Sequence, residues 1–299
     1  MKFGYCIYKN DIVSDLSPEH IIPLALGGCN EFCVDVDRKC NNDLGTAIDG
    51  KMANSFLMLQ TRQKKGYVGH SRIPAKAKIK NALLGESKEP IQVHLASELT
   101  LGEDVSVESV YSAKERRYLS RSETAGMQME SKFTIDTALE MAFTAKTLLA
   151  AGFFLYGNDF LQYADHDQLR RHIIWFIAGA NPSNDPYKEA RNNHRMNLTL
   201  ALVESQKTGV VPEFGVFGDM ANICQVLDES CVIFINTPTQ LIGAVGIGGI
   251  YIATLVIDAN GAALIEKYGL HWCMYVSEGR LNKTRIADLI ANHEAWADK

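Results

Sequence analysis

The first ninety residues show three successive patterns of apolar and polar positions. Two short apolar runs, 2–8 and 20–26, predict strands, and the second leads into a turn at Gly27 and Gly28. From Asp37 to Gln63 the apolar positions recur every three or four residues, which predicts a helix. Residues 64–90 lose this periodicity and contain several glycines and prolines, so we expect a loop there.

The rest of the chain predicts a larger α+β domain with long helices. Alternating positions over 91–131 indicate short strands. A helix is predicted from a cap at Thr134 or Asp136 to Tyr156, with Gly157 at its end, and a second helix over 167–177. Runs rich in β-branched residues predict a mostly antiparallel sheet, at 197–204, 230–236, 239–257 and 270–276.

One stretch, 230–257, carries no charged residue and is long enough to cross a bilayer. Asn236, Pro238 and Gln240 interrupt it, and its glycines and β-branched residues are typical of two buried strands joined by a glycine turn. We therefore expect no membrane-spanning segment here.

The composition is that of a soluble globular protein, with 46% apolar and 22% charged residues. Seven cysteines are present and no two have CxxC spacing, which indicates a reducing compartment. The N-terminal residues lack the basic stretch and apolar core of a secretory signal. Together these features predict a cytoplasmic protein.

The net charge of −5 conceals a basic segment. Residues 1–80 carry 12 Lys and Arg against 8 Asp and Glu, a net of +4, so the rest of the chain carries −9. No acidic residue lies between Asp49 and Glu86. The basic side chains of this interval are candidates for contacts with nucleic-acid phosphates: Lys51, Arg62, Lys64, Lys65, Arg72, Lys76, Lys78 and Lys80. Taken alone, the segment also fits a solvated linker.

The most specific pattern lies between residues 17 and 45. It reads Ser-Pro-Glu-His-Ile-Ile-Pro-Leu-Ala-Leu-Gly-Gly at 17–28 and Cys-Asn-Asn at 40–42. This order resembles the HNH endonuclease family, in the branch written Glu-His-Ile-Ile-Pro, Gly-Gly, Cys-Asn-Asn. The resemblance covers roughly residues 1–60, about a fifth of the chain. It implies a small N-terminal ββα-metal domain that cuts nucleic acid.

The resemblance also implies which residues carry the chemistry. Phosphodiester hydrolysis needs an activated water and a metal that offsets charge on the phosphate. Histidine titrates near neutral pH and suits the general base, a role that the resemblance gives to His20. Glu19 and Asn41 would hold a divalent metal (Mg, Mn, Ni or Zn), with Asn42 as a nearby alternative. Asn30 would orient the His20 ring. In isolation, the two asparagines at 41–42 fit a helix cap equally well.

Relatives also carry two CxxC pairs that hold a structural zinc. The corresponding positions here are Cys6-Ile7-Tyr8-Lys9 and Asp37-Arg38-Lys39-Cys40. Only Cys6, Asp37 and Cys40 are able to bind, and a structural zinc needs four ligands. We therefore expect the structural zinc to be lost.

These patterns predict a nuclease-like domain at 1–65, a basic linker at 66–90 and an α+β domain at 91–299 for recognition, regulation or homodimer formation. The leading hypothesis is a metal-dependent endonuclease that acts on DNA, phage-related or anti-phage as some relatives with this architecture are. One alternative is a catalytically inactive nucleic-acid-binding protein, in which the basic segment matters and Glu19 and His20 do not. Another is a nuclease gated by a small ligand bound in residues 91–299.

Overall fold

The computed structural model describes residues 3–96, 107–131, 135–181 and 215–289, with the single positions 183, 185, 188, 191 and 192. Helices and antiparallel sheets alternate along the chain, which confirms the predicted α+β class. The strand predicted over 197–204 lies outside the described residues.

The N-terminal unit consists of two small hairpins followed by a helix. Strands β1 (Gly4–Cys6) and β2 (Asp11–Val13) pair with each other, as do β3 (Leu16–His20) and β4 (Cys33–Asp37). Helix α1 (Arg38–Leu44) begins directly after β4. The described order around the motif is therefore strand, strand, helix.

Two predictions for this unit were wrong in their bounds. The strand expected over 20–26 ends at His20, and Leu24–Leu26 form one 3₁₀ turn because Pro23 fixes the backbone just before them. The single helix expected from Asp37 to Gln63 is divided at Asn54 and Ser55, where the backbone leaves the helical region. Before this break α1 continues through a π turn (Gly45–Asp49) into α2 (Gly50–Ala53), and α3 (Phe56–Lys65) follows it. Glycine at the start of both the π turn and α2 weakens the regular helix there.

The middle of the chain forms a five-stranded antiparallel sheet with the order β8-β7-β6-β5-β9. Its strands are β5 (Lys78–Leu84), β6 (Glu89–Leu95), β7 (Val107–Ser112), β8 (Arg117–Leu119) and β9 (Met129–Ser131). A one-turn helix, α4 (Arg121–Thr124), precedes β9. The loop predicted over 64–90 is wrong where β5 lies. A bulge between Ile79 and Ala82 breaks the alternation by which a strand is recognised in the sequence.

The remaining described helices include one, α5 (Thr137–Tyr156), that is almost entirely buried. The others are α6 (Asn158–Tyr163), α7 (Asp167–Ile177), α8 (Gly215–Leu227) and α9 (Gly261–Tyr268). The prediction for α5 is confirmed, with Asp136 Oδ1 accepting the Leu139 N–H at 3.0 Å, and α7 has the predicted bounds. Among the described residues α5 alone is long and apolar enough to cross a membrane, but 83% of it is buried inside the protein, as in a core helix.

A second five-stranded antiparallel sheet has the order β12-β11-β10-β13-β14. Its strands are β10 (Ser230–Asn236), β11 (Gln240–Ile247), β12 (Ile250–Asp258), β13 (His271–Ser277) and β14 (Arg280–Thr284). The uncharged stretch 230–257 forms three strands rather than the two predicted, because β10 belongs to it as well; the predicted glycine turn is present at Gly248 and Gly249, between β11 and β12.

One hydrophobic core joins the two ends of the chain. It contains Ile21 and Phe32 of the N-terminal unit, Phe143 and Leu149 of α5, and Val245 of the second large sheet. The sheet of β5–β9 has a smaller core of its own. The N-terminal unit is therefore packed against α5, which the sequence places more than a hundred residues away.

Candidate active site

Strand β3 carries Glu19 and His20 at its C-terminal end. Successive side chains of a strand point to opposite faces, so these two residues face different surroundings. Glu19 is 6% exposed and points into the core, whereas His20 is half-buried at the edge of the hairpin. Only His20 is open to a substrate in this arrangement.

The ring of His20 is held by the predicted partner. Nε2 lies 2.9 Å from Oδ1 of Asn30. Because an amide oxygen only accepts, Nε2 carries the hydrogen and Nδ1 keeps a lone pair that is able to take a proton. A second imidazole, His70, meets the ring edge-on with 5.7 Å between ring centroids. The sequence analysis did not assign a role to His70.

The loop between β3 and β4 explains the glycines of the motif. Gly27 has φ +84°, in the left-handed region that favours glycine, and a Cβ on Gly28 would lie 1.7 Å from the carbonyl oxygen of Ile22. The Ile21 N–H donates to the Phe32 carbonyl at 2.9 Å, which closes the loop. The closed loop brings its own residue Asn30 back to His20.

Glu19 is engaged by a residue that the sequence analysis missed. The fully buried Lys146 of α5 donates from Nζ to Glu19 Oε1, and also to Asp49 Oδ2 at 2.7 Å. Asp49 is the last residue of the π turn, which directs it toward α5. The composition of α5 could have indicated a special role for Lys146, because Lys146 and Glu140 are the only charged residues among its twenty.

Burial and pairing shift the pKa values of Asp49 and Lys146. Burial raises the pKa of Asp49 to about 6, although the nearby Lys146 opposes the shift. Burial by itself would lower the pKa of Lys146, but Asp49 and Glu19 together hold it above its usual value. Asp49 Oδ1 and the Tyr8 hydroxyl are buried without a hydrogen-bond partner among the described residues. The Lys146 ammonium therefore supplies the positive charge beside Glu19 and Asp49, where a metal ion would otherwise be expected.

The predicted metal ligands do not fit a divalent ion in this arrangement. The Glu19 carboxylate is bonded to an ammonium, and Asn41 donates its amide to Ser17 Oγ at 3.2 Å and to the Pro18 carbonyl at 3.1 Å. Asn42 is exposed on the next position of α1. In the part of the chain that the structure describes, no three His, Cys, Asp or Glu side chains are grouped to hold a metal.

The positions that hold a structural zinc in HNH relatives do come together. Lys9 Nζ lies 2.9 Å from Asp37 Oδ1, and the Asp37 N–H lies 3.3 Å from the Cys6 sulfur. Asp37 also caps α1 by accepting the Cys40 N–H at 2.8 Å. This N–H and Lys9 lower the pKa of Asp37, while burial raises that of the Cys40 thiol to about 11. A lysine–aspartate ion pair thus lies beside the thiols of Cys6 and Cys40.

The predicted nucleic-acid contacts fall into three groups. Four of them line one groove: Arg62, Lys76, Lys78 and Lys80. Two others have partners within the protein, since Lys51 lies over the Phe176 ring and Lys65 Nζ is 2.5 Å from Asp228 Oδ2. The last two are exposed: Lys64 and Arg72.

Comparison of the chain with protein-family models, curated proteins and solved structures found no match. The resemblance to HNH endonucleases therefore stays a prediction from residues 1–60, and the proposals below depend on the geometry of this chain.

Proposed function

We propose that this protein is an endonuclease that hydrolyses phosphodiester bonds, with DNA as its substrate. The observation that carries the proposal is the His20–Asn30 pair, which presents an oriented imidazole at the open edge of the β3–β4 hairpin. The basic groove supports it, because cations that neutralise phosphates supply binding free energy without reading the base sequence.

The chemistry assigned to this chain is general-base hydrolysis. Nδ1 of His20 removes a proton from water as the water oxygen bonds to phosphorus, and the bond from phosphorus to the leaving oxygen breaks. The leaving oxygen takes a proton from solvent water and His20 releases its proton to solvent, so the products are a phosphate monoester and a free hydroxyl. Asn30 keeps Nε2 protonated and the ring oriented, and a base positioned in this way typically contributes about 10²- to 10⁴-fold to the rate.

Metal dependence is a separate proposal, drawn from the resemblance. Glu19 would be the principal ligand, yet its carboxylate is bonded to Lys146. We therefore assign Glu19 a structural role in holding β3 against α5, and no step of the mechanism depends on a metal. A cytoplasmic location and a homodimer likewise stay predictions.

The same ion pair favours a second candidate function, a nucleic-acid-binding protein without catalysis. The carboxylates of Glu19 and Asp49 are bonded to Lys146, and a carboxylate held in this way is not free to bind the metal that HNH endonucleases use. Under this alternative the basic groove binds nucleic acid and His20 has no chemical role.

Cleavage of supercoiled plasmid and single-stranded circular DNA distinguishes the two functions. The full chain is incubated with EDTA, Mg²⁺, Mn²⁺, Ni²⁺ or Zn²⁺, beside His20→Ala and the control His271→Gln, which alters a histidine of β13 outside the site. The proposal expects cutting by the wild type and the control and none by His20→Ala. Activity in EDTA would show that the metal is dispensable, and no cutting under any condition would favour the binding protein.

A further inference from the structure

A groove of about 740 Å³ runs between α3 and the start of β5. Of its fourteen lining residues, all within the described part of the chain, four are Lys or Arg and none is Asp or Glu. The groove is thus strongly cationic in a protein whose net charge is −5. An uncompensated cluster of this kind attracts a polyanion.

The two walls of the groove are fixed relative to each other. Gln63 of α3 donates to the Leu95 carbonyl at 2.9 Å and accepts the N–H of Ala77, so the helix is bonded to both strands at the open end of the β5–β6 pair. The bulge in β5 places Lys80 and Asn81 opposite one residue of β6, and both are exposed. Bulges of this kind redirect side chains, and here the redirected side chains face the groove.

Apolar side chains lie between the cations. Phe56 and Leu59 of α3 line one wall of the groove. Ile73 and Pro74, in the loop between α3 and β5, also line the groove, and Ile73 is 69% exposed. A duplex presents its phosphates outward and keeps its bases stacked, so these side chains would gain little from it. Unstacked bases of a single strand do offer apolar faces, and grooves that bind single strands combine cations with such platforms.

The size and position of the groove agree with this ligand. A volume of 740 Å³ holds roughly two nucleotides, by comparison with pockets for drug-sized ligands. One end of the groove lies near the candidate active site, because Ser71 lines the groove and the preceding residue, His70, meets the His20 ring with 5.7 Å between ring centroids. A strand lying along the groove would therefore pass close to the imidazole.

We propose that this groove binds single-stranded nucleic acid and delivers it to His20, with Lys78 and Lys80 following the phosphates and Phe56 and Ile73 contacting the bases. The proposal rests on the proposed function in that it names the form of the substrate. It makes the protein a nuclease for single strands, or for single-stranded regions of a duplex.

Binding measured without cleavage tests this assignment. Fluorescence anisotropy is recorded on full-length His20→Ala, and on the wild type in EDTA, with labelled oligothymidylate, oligouridylate and a hairpin duplex of equal length. The variant Lys78→Gln/Lys80→Gln removes two groove cations. Its matched control, Lys88→Gln/Lys114→Gln, removes two cations from the hairpin turns of the same sheet, outside the groove.

We expect single strands to bind at least tenfold more tightly than the duplex. The groove variant should weaken single-strand binding about 25-fold at about 0.1 M salt and reduce the slope of log K against log salt by about 1.4, which is about 0.7 for each lost phosphate contact. The control should change neither quantity. Tighter binding of either oligothymidylate or oligouridylate supports the proposal and identifies the preferred sugar.

Equal or tighter binding of the duplex would overturn the proposal, and so would an equal loss in the control variant. Because the readout does not require cutting, an inactive wild type would contradict the proposed function and leave this test intact.

Discussion

The geometry of the candidate active site depends on one residue, Lys146. It is 0% exposed and bonds carboxylates from two segments of the N-terminal unit, Glu19 of β3 and Asp49 of the π turn. A buried ion pair adds little net stability over an apolar replacement of both partners, but removal of one partner leaves a buried charge uncompensated. Lys146 is therefore predicted to be essential to the fold while having no contact with substrate.

Replacement of Lys146 by Met should lower the free energy of unfolding by about 3–5 kcal/mol, because two buried carboxylates lose their counter-ion. Urea denaturation of the full chain measures this. Thr147→Val is the matched control on the same helix, since it removes a buried hydroxyl that has no partner among the described residues and should be nearly neutral. Glu19→Gln combined with Lys146→Met should be less destabilising than the sum of the single changes.

A loss below about 1 kcal/mol for Lys146→Met would contradict the structural role of Glu19. Stabilisation of the wild type by Mg²⁺, together with a tolerated Lys146→Met, would return Glu19 to the role of metal ligand.

Some contacts between individual side chains were predictable from the sequence. The contact of His20 with Asn30 was expected from a local motif of a dozen residues, and the structure places the two side chains 2.9 Å apart. The contact of Glu19 with Lys146 was not expected, because the two residues are 127 positions apart and no local pattern relates them. Polar groups that meet across the core are determined by tertiary packing alone.

At the scale of elements, the β1–β2 turn and the start of α1 form a closed cluster. Cys6, Lys9, Asp37 and Cys40 meet there, and the Lys9–Asp37 pair occupies two of the four positions that the resemblance to HNH endonucleases would assign to zinc. The cluster ties the first hairpin to the N-terminus of the helix with one ion pair and one helix cap.

The substitutions Lys9→Cys and Asp37→Cys together should create a zinc site. Four cysteines at CxxC spacing on a turn and a helix N-terminus match the tetrahedral ligand set of structural zinc. We expect one zinc per chain by elemental analysis and a higher Tm with zinc than with EDTA. Asp37→Cys alone keeps Lys9, which is unable to bind, and so supplies only three ligands; it should bind no stoichiometric zinc. If the double variant also binds none, the four side chains are not arranged as the geometry here indicates.

Element bounds were predictable where periodicity was regular. α7 and β10 were found at their predicted positions, because each has one clear apolar pattern and a distinct end. The helix after β4 was predicted too long, since the spacing of apolar side chains continues through the break before α3 although the backbone does not. Side-chain periodicity reports the buried face and does not reveal a π turn.

At the scale of the whole molecule, the N-terminal unit and the helices beyond residue 135 share one core. Ile7 and Phe32 belong to the same buried cluster as Leu149 of α5 and Val232 of β10. The division at residues 66–90 was inferred from loss of periodicity and a change in charge. Neither of these sequence features reports which distant surfaces pack together, so the shared core was not predictable from them.

A fragment of residues 1–96 should therefore not fold on its own. It would expose the apolar face that α5 covers and would lack the counter-ion of Glu19 and Asp49. We expect poor chemical-shift dispersion in its amide NMR spectrum and no cooperative thermal transition, in contrast with the full chain. A well-dispersed spectrum would show that the N-terminal unit is an independent domain.

The most direct test of the central claim measures binding and cutting on the same labelled single strand, with the wild type and His20→Ala. We expect dissociation constants that agree within about twofold, because His20 lies beside the groove rather than among its cations. We also expect a single-turnover cleavage rate about 10²- to 10⁴-fold lower for His20→Ala. Equal cleavage by both proteins, or no cleavage by a wild type that binds, would contradict the assignment of His20 as the base of a nuclease.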